Sequence, residues 1–318
     1  MQHMDADTVH RLLDFPGLVD ALAEAHRGPE PLVERADLAR DTGGETPDSF
    51  LIRPAWQPGV ACGAKLTTVM PGNPARHPDV PAIQALYAIF DGETGSPRAT
   101  IDGTALTYRK TAADSALGAR LLAREDARRL VMVGAGALAP YLVAAHRAVR
   151  PSLAHVSIWN RSRQKAADLA EDLASAGVEA DVVDDLEAAV RDGDVVCCAT
   201  AATAPVVMGA WLKPGAHLDL VGGFTPSMRE CDDEAVRRAS LFVDSRWFAV
   251  EQAGDIGDPL RRGVIGPEAV RADLFELCRG LHPGRDGPNE ITLFKNGGGG
   301  HLDLFTAIHA MEMFAREG

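Results

Sequence analysis

LVMVGAGALAPYLVAAHRAVRPSLAHVSIWNRS, residues 130–162, decides the fold. An apolar run from Leu130 to Val133 enters the turn Gly134-Ala135-Gly136. A helical pattern follows, then a second apolar run, Val156 to Trp159, which ends in Asn160-Arg161-Ser162. Strand, tight turn, helix and strand in this order form the first half of a dinucleotide-binding α/β unit. Gly134 allows the turn and Gly136 lets backbone approach a pyrophosphate. Ala139 stands where a third glycine often sits and is small enough for helix–strand packing. The helix start, with Ala137 and Leu138 leading into it, offers N–H groups and a positive dipole end to phosphate.

The second strand ends 26 residues after Gly134 (160 − 134), where the residue that reads the adenosine ribose belongs. An acid there would bind the ribose hydroxyls of NAD. The chain instead offers Asn160, Arg161, Ser162 and Arg163. Guanidinium and hydroxyl groups suit a 2′-phosphate, so the expected cofactor is NADP(H). The alternative is a solvated basic loop.

Outward from this stretch the texture changes twice. After Ser162, helical patterns alternate with apolar runs: EADVV, DVVCCAT, HLDLVG and LFVDS. That alternation predicts a doubly wound parallel sheet whose ligand side is the carboxyl ends of its strands. Before residue 111 the pattern differs. Residues 5–27 predict a helical opening interrupted at Pro16-Gly17, and residues 28–48 predict loops around a short strand. FLIRPAW, VACGAKLTTVM and IQALYAIF predict strands of a mostly antiparallel sheet. Thr111 to Leu122 predicts a helix, as does the segment after the glycine run Gly297–Gly300, which carries His301 and Asp303.

The 318 residues suffice for two domains, and a net charge of −13 argues against a nucleic-acid or anionic-membrane partner. The five cysteines, Cys62, Cys197, Cys198, Cys231 and Cys278, show no metal-type spacing. No metal is expected. No signal pattern or ~20-residue apolar span is present, so a cytoplasmic protein is expected.

Several segments in series resemble the ornithine cyclodeaminase/mu-crystallin family. They are GAKLTTVMPGNP (63–74), DGETGSPRATIDGTALTYRKTAADSALGARLLA (91–123), the GAGALA turn, WNRS, and ATAATAPVV (199–207). WLKPGAHLDLVGGFTPSMRECD (211–232), VDS (243–245), AGDI (253–256) and ITLFKNGGG (291–299) complete the series. The resemblance implies a Rossmann-type doubly wound sheet plus an α+β substrate-binding and dimerisation domain. The first domain would span 1–115, joined by the returning C-terminal helix at 300–318. The cofactor domain would span 116–299, with the active site in the cleft and a homodimer formed through the first domain's sheet. Family activities include ornithine cyclodeamination, alanine dehydrogenation and cyclic ketimine reduction; mu-crystallin-like members also bind thyroid hormone.

Cyclodeaminases carry a catalytic aspartate just after the glycine pair of the VGG motif. Here Phe224 takes that place, and a Phe cannot move protons. The RKTAADSALG and FKNGGGGHLDL segments look most like bacterial pyrroline-2-carboxylate reductases. The expected function is therefore NADPH-dependent reduction of a cyclic imine carboxylate, Δ1-pyrroline-2-carboxylate to L-proline, with an amino-acid dehydrogenase, a cyclodeaminase or a non-catalytic binding protein as alternatives. By the resemblance, Lys65 is the active-site lysine; His301 and Asp303 are further acid–base candidates because the glycine run before them can bring them to the cleft. Substrate cations would come from Arg35, Arg53, Lys65, Arg109 and Lys110; Lys110 stands where the family has the arginine before Thr-Ala-Ala. Thr111 and Thr200 would meet cofactor phosphates, and Lys295 and Asn296 would lie near the nicotinamide.

Overall fold

The computed structural model describes residues 1–41, 43 and 47–317. The predicted loop at 28–48 lies partly outside them, as does the last residue of the predicted C-terminal segment. The chain divides into two compact units, residues 1–110 with 299–318, and residues 111–298.

The first unit opens with β1 (Gln2–Met4), α1 (Ala6–Leu12) and α2 (Phe15–Arg27). The break predicted at Pro16-Gly17 lies slightly earlier. Asp14 caps α2 through a 2.9 Å bond from the Gly17 N–H, and Pro16 sits in the first turn, where its missing N–H costs nothing. Five of the next six elements are strands: β2 (Leu32–Val33), β3 (Ala36–Arg40), β4 (Asp48–Gln57), β5 (Ala61–Val69), the short helix α3 (Asn73–Arg76) and β6 (Ile83–Asp91). β7 (Pro97–Asp102) closes the series, and α4 (Gly103–Leu122) follows, beginning eight residues before the predicted start at Thr111. The sheet runs β1-β7-β6-β5-β4-β2, with β3 also paired to β4, and all its pairs except β1–β7 are antiparallel.

Antiparallel register puts Arg53, Lys65 and Tyr87 in one row across β4, β5 and β6. On that face Ala55, Ile89, Ala99 and Ile101 are buried as well.

The second unit holds β8 (Arg129–Val133), α5 (Ala139–Val149), β9 (His155–Trp159), α6 (Arg163–Ser175), β10 (Ala180–Val182), α7 (Leu186–Asp192) and β11 (Val195–Cys198). β12 (His217–Leu220), α8 (Asp233–Arg238), β13 (Ser240–Val243), α9 (Gly254–Arg261), β14 (Val270–Asp273), α10 (Leu274–Cys278) and β15 (Thr292–Lys295) follow. The eight strands are all parallel, in the order β10-β9-β8-β11-β12-β15-β13-β14. This is the doubly wound sheet expected from the sequence, with the order reversing between β8 and β11. β11, β12, β13 and β15 are buried at every position, as apolar runs covered on both faces require. Gly118 of α4 lets the helix lie against the Phe294 ring, which a Cβ there would meet at 2.7 Å.

Asp219 is fully buried in β12. Ser115 Oγ (3.0 Å), His146 Nε2 (3.0 Å) and Cys197 Sγ (3.1 Å) surround its carboxylate. Burial alone would raise its pKa, but His146 and the other donors outweigh that and hold it below the usual carboxylate value.

The chain ends in α11 (Gly300–Glu317), which belongs to the first unit and packs on α2, β4, β5 and β6. Among the described residues no helix is long and apolar enough to cross a membrane.

Candidate active site

In the first unit, α11 lays the carboxylate of Asp303 over the Lys65 row. Lys65 Nζ lies 3.0 Å from Asp303 Oδ1 and 2.9 Å from Oδ2. Lys110 Nζ stands 3.7 Å from Oδ1. Asp303 and Lys110 are buried, and the Lys65 side chain is 12% exposed. Two ammonium groups thus share one carboxylate, leaving one positive charge in excess. Burial pushes the Lys65 pKa down; Asp303 opposes the shift and Lys110 adds to it. Lys65 is therefore a better proton donor than a solvated lysine.

Neighbours shape this cluster. Gly63 leaves room for the Tyr87 phenol, since a Cβ there would lie 2.5 Å from Tyr87 Oη. Arg53 stands opposite Lys65 and pairs with Asp37. Arg35 also pairs with Asp37, but its side chain is 41% exposed at the sheet margin. The structure therefore brings Arg53 to the Lys65 row and leaves Arg35 outside it. It also separates the two cations of the RKT motif. Arg109 is turned away: its Nε lies 3.1 Å from His10 Nδ1, its Nη2 donates to the His10 carbonyl at 2.9 Å, and its guanidinium covers the Phe15 ring at 4.9 Å. Lys110 is the one that faces Asp303. His301, expected among the acid–base groups, packs instead edge-on against His26 and Phe305, with ring centroids 5.5 and 5.9 Å away. Burial holds its pKa well below the ordinary value, so it is neutral at pH 7.

In the second unit, Gly134 has φ +113°, and a Cβ on it would meet the Ala199 carbonyl at 2.5 Å. Gly136 faces open space. The turn is tied to the second strand by Gly134 N–H to the Trp159 carbonyl (2.8 Å) and Ala135 N–H to Asn160 Oδ1 (3.3 Å). Among the described residues the N–H groups of Gly136, Ala137 and Leu138 have no protein acceptor. An exposed glycine at the start of an 11-residue helix, with unused N–H donors beside it, fits a dinucleotide pyrophosphate. Beyond Asn160, Arg161 is exposed and forms no ion pair among the described residues, whereas Arg163 pairs with Asp184; Ser162 is the N-cap of α6.

The remaining cofactor candidates turn inward. Lys295 is fully buried; its Nζ lies 3.1 Å from Asp255 Oδ2 and donates to the Leu220 carbonyl at 3.1 Å. Asn296 Nδ2 donates to the Thr111 carbonyl (3.0 Å) and Ser115 Oγ (3.1 Å). Thr200 donates its N–H (2.7 Å) and hydroxyl (2.9 Å) to Glu230 Oε1. Glu230 and Asp255 lie inside segments that carry the family resemblance, yet sequence reading gave neither a role. Glu230 accepts from the backbone of Thr200, Gly222 and Gly223 and from the Thr200 hydroxyl, and Asp255 accepts from the Glu230 N–H and pairs with Lys295. Burial pushes the Glu230 pKa up to about 7, with Lys295 pulling it down and Asp255 pushing it further up. Phe224, in the loop after β12, is 70% exposed.

The model of the ornithine cyclodeaminase/mu-crystallin family matches residues 42–313. The chain belongs to that family. A Δ1-pyrroline-2-carboxylate reductase of Paracoccus denitrificans is 44% identical over 305 residues, 95% of this chain and 94% of the relative. Among solved structures, the Thermococcus litoralis Δ1-pyrroline-2-carboxylate reductase in complex with NADH and L-proline superposes with a TM-score of 0.91 at 28% identity, covering 100% of this chain and 98% of that one. An archaeal alanine dehydrogenase dimer with bound NAD gives 0.89 at 27% identity, covering 100% and 97%.

A family fold does not by itself assign the polar cluster its energy, and the cluster makes its own prediction. Asp303→Asn strips the counter-ion from two buried ammonium groups. It should lower stability by about 3–5 kcal/mol, read as a lower urea midpoint; an unchanged midpoint would mean that the lysines do not depend on Asp303.

Proposed function

We propose that this chain is an NADPH-dependent reductase of cyclic ketimine carboxylates, acting on Δ1-pyrroline-2-carboxylate to form L-proline. The observation that carries the reading is the pair of buried lysines on the single carboxylate of Asp303. The substrate has a carboxylate next to a C=N bond, and the excess positive charge of the cluster suits that carboxylate. Lys110, 3.7 Å from Asp303 Oδ1, is the second cation offered to the substrate carboxylate. Lys65, with its lowered pKa, gives a proton from Nζ to the imine nitrogen, and Asp303 keeps the Nζ in place. The protonated C=N carbon is then electrophilic; reduced nicotinamide, when bound, supplies the hydride that ends on C2. Phe224 supports reduction over cyclodeamination, because no acid stands at its position to move protons. The similarity to pyrroline-2-carboxylate reductases points the same way.

The test is cofactor oxidation with pyrroline-2-carboxylate, with pyruvate plus ammonia as the competing substrate pair. Wild-type protein should reduce the cyclic imine, and Lys65→Met should lose about 10²–10⁴ of kcat. Turnover of pyruvate and ammonia alone would make the chain an alanine dehydrogenase, and full activity in Lys65→Met would remove Lys65 from the chemistry.

The preference for NADPH rests on Arg161, exposed and unpaired among the described residues at the end of β9, with no acid in the loop to repel a 2′-phosphate. Arg161→Asp combined with Ser162→Ala should weaken NADPH and relatively favour NADH. The ratio of the two kcat/KM values measures it; an unchanged ratio would mean that another group reads the phosphate.

A homodimer through the first unit's sheet completes the reading. α11 packs on β4, β5 and β6, and the face of Lys65 and Tyr87 is the one that carries buried residues. The opposite face presents Leu32 (63% exposed), Leu38 (61%), Trp56 (49%) and Leu86 (37%), with Ile52 and Leu66 in the same rows. An apolar sheet face of this kind marks an association surface. Trp56→Glu should convert a dimer to a monomer in light scattering; a monomeric wild type at micromolar concentration would contradict the assignment.

A further inference from the structure

Glu230 has both carboxylate oxygens occupied by donors from two different loops. Oε1 accepts the N–H (2.7 Å) and hydroxyl (2.9 Å) of Thr200, which follows β11. Oε2 accepts the N–H groups of Gly222 (2.7 Å) and Gly223 (3.3 Å), which follow β12. The loops touch because Gly222 has no side chain; a Cβ there would lie 2.0 Å from the Thr200 carbonyl oxygen and 2.3 Å from its nitrogen. Glu230 is itself held from behind. Its own N–H donates to Asp255 Oδ1 at 2.7 Å, and Asp255 Oδ2 faces Lys295 Nζ at 3.1 Å. All three side chains are buried, with no exposed surface.

These two loops leave the carboxyl ends of neighbouring parallel strands, β11 and β12, on the side where a doubly wound sheet takes its ligand. The Thr200 loop also reaches the glycine turn, since the neighbouring Ala199 carbonyl is what a Cβ on Gly134 would strike at 2.5 Å. We propose that Glu230 is a positioning residue for the dinucleotide: it clamps the Thr200 and Gly222–Gly223 loops in the conformation that receives the cofactor, and the Asp255–Lys295 pair fixes the clamp. The inference rests on the reading that this chain binds a nicotinamide dinucleotide on that side of the sheet.

Four donors on one carboxylate make the clamp sensitive to a change that preserves volume. A glutamine has one acceptor oxygen and one NH₂ group. Turned toward Gly222 and Gly223 the NH₂ meets two N–H donors. Turned toward Thr200 it can donate to the hydroxyl but still faces the Thr200 N–H, so in either orientation a backbone N–H loses its acceptor and one loop is held less firmly. The test is titration of purified protein with NADPH, followed by separate KM values for cofactor and imine and a thermal melt. Glu230→Gln should melt cooperatively yet bind NADPH on the order of tenfold more weakly, about 1.4 kcal/mol. Its cofactor KM should rise in parallel, while the imine KM and kcat at saturating cofactor stay near wild type. Gly222→Ala, whose Cβ would press on the Thr200 backbone (2.0 Å) and on Glu230 Oε1 (2.6 Å) and so force the same loops and the clamp apart, should show the same split.

Wild-type NADPH affinity in a folded Glu230→Gln protein would overturn the proposal. If that variant does not fold, wild-type affinity in Gly222→Ala would overturn it. A wild-type protein that binds neither NADPH nor NADH would instead overturn the underlying cofactor reading.

Discussion

The carboxylate of Asp303, shared between Lys65 and Lys110, is the interaction on which the proposed chemistry depends. Each ammonium–carboxylate attraction is worth about 4 kcal/mol at 4 Å in a medium of intermediate polarity, and far more when water is excluded. One carboxylate serves two ammonium groups, so the cluster is stable enough to stay buried but is not neutral. In the proposed reading a small anionic substrate completes the charge balance. The same arrangement keeps Lys65 ready to give up its proton, because burial and Lys110 disfavour the charge that Asp303 stabilises. Three elements meet here: β5 brings Lys65, α4 brings Lys110, and the first turn of α11 brings Asp303.

The second unit follows a related principle with the charges placed differently. Its parallel strands are apolar runs, yet β12 carries Asp219 and β15 ends in Lys295. Each buried charge has a partner set. Asp219 has hydroxyl, imidazole and thiol around it, and Lys295 has Asp255. Leaving such groups unpaired in the core would cost several kcal/mol, so each set also fixes the elements that supply it. The Glu230 clamp extends this pattern outward, from the sheet interior to the loops at its carboxyl edge.

The doubly wound sheet was legible because its signal is local. Gly134, with φ +113° and the Ala199 carbonyl against it, is a position that only glycine fills, and the strands are continuous apolar runs. Lys65 was legible through the resemblance, since it stands inside the matching segment GAKLTTVMPGNP. Sequence could not choose between Arg109 and Lys110. The choice is made by His10 and Phe15, about a hundred residues away, which bind Arg109 and leave Lys110 to Asp303. His301 looked as available as Asp303, two residues along the same helix. Helical geometry turns it toward His26 and Phe305 instead. Glu230 was invisible for a similar reason: three of its four donors are backbone N–H groups, which leave no trace in residue types, and the fourth is the hydroxyl of Thr200, thirty residues away. The parallel pairing of β1 with β7 also escaped the periodicity, because a three-residue strand has too few positions to show alternation.

The most direct measurement of the central claim is calorimetric titration of the protein, with cofactor present, by pyrrole-2-carboxylate and by the corresponding amide. Both are flat five-membered rings and neither can be reduced at a C=N bond; they differ in charge. If the excess positive charge on the Lys65–Lys110–Asp303 cluster holds the substrate, the carboxylate should bind on the order of a hundredfold more tightly than the amide, about 2.7 kcal/mol. That preference should collapse in Lys110→Met. Equal affinity for the two rings would contradict the account, because it would show that the cluster's charge is spent inside the protein and is not offered to the substrate.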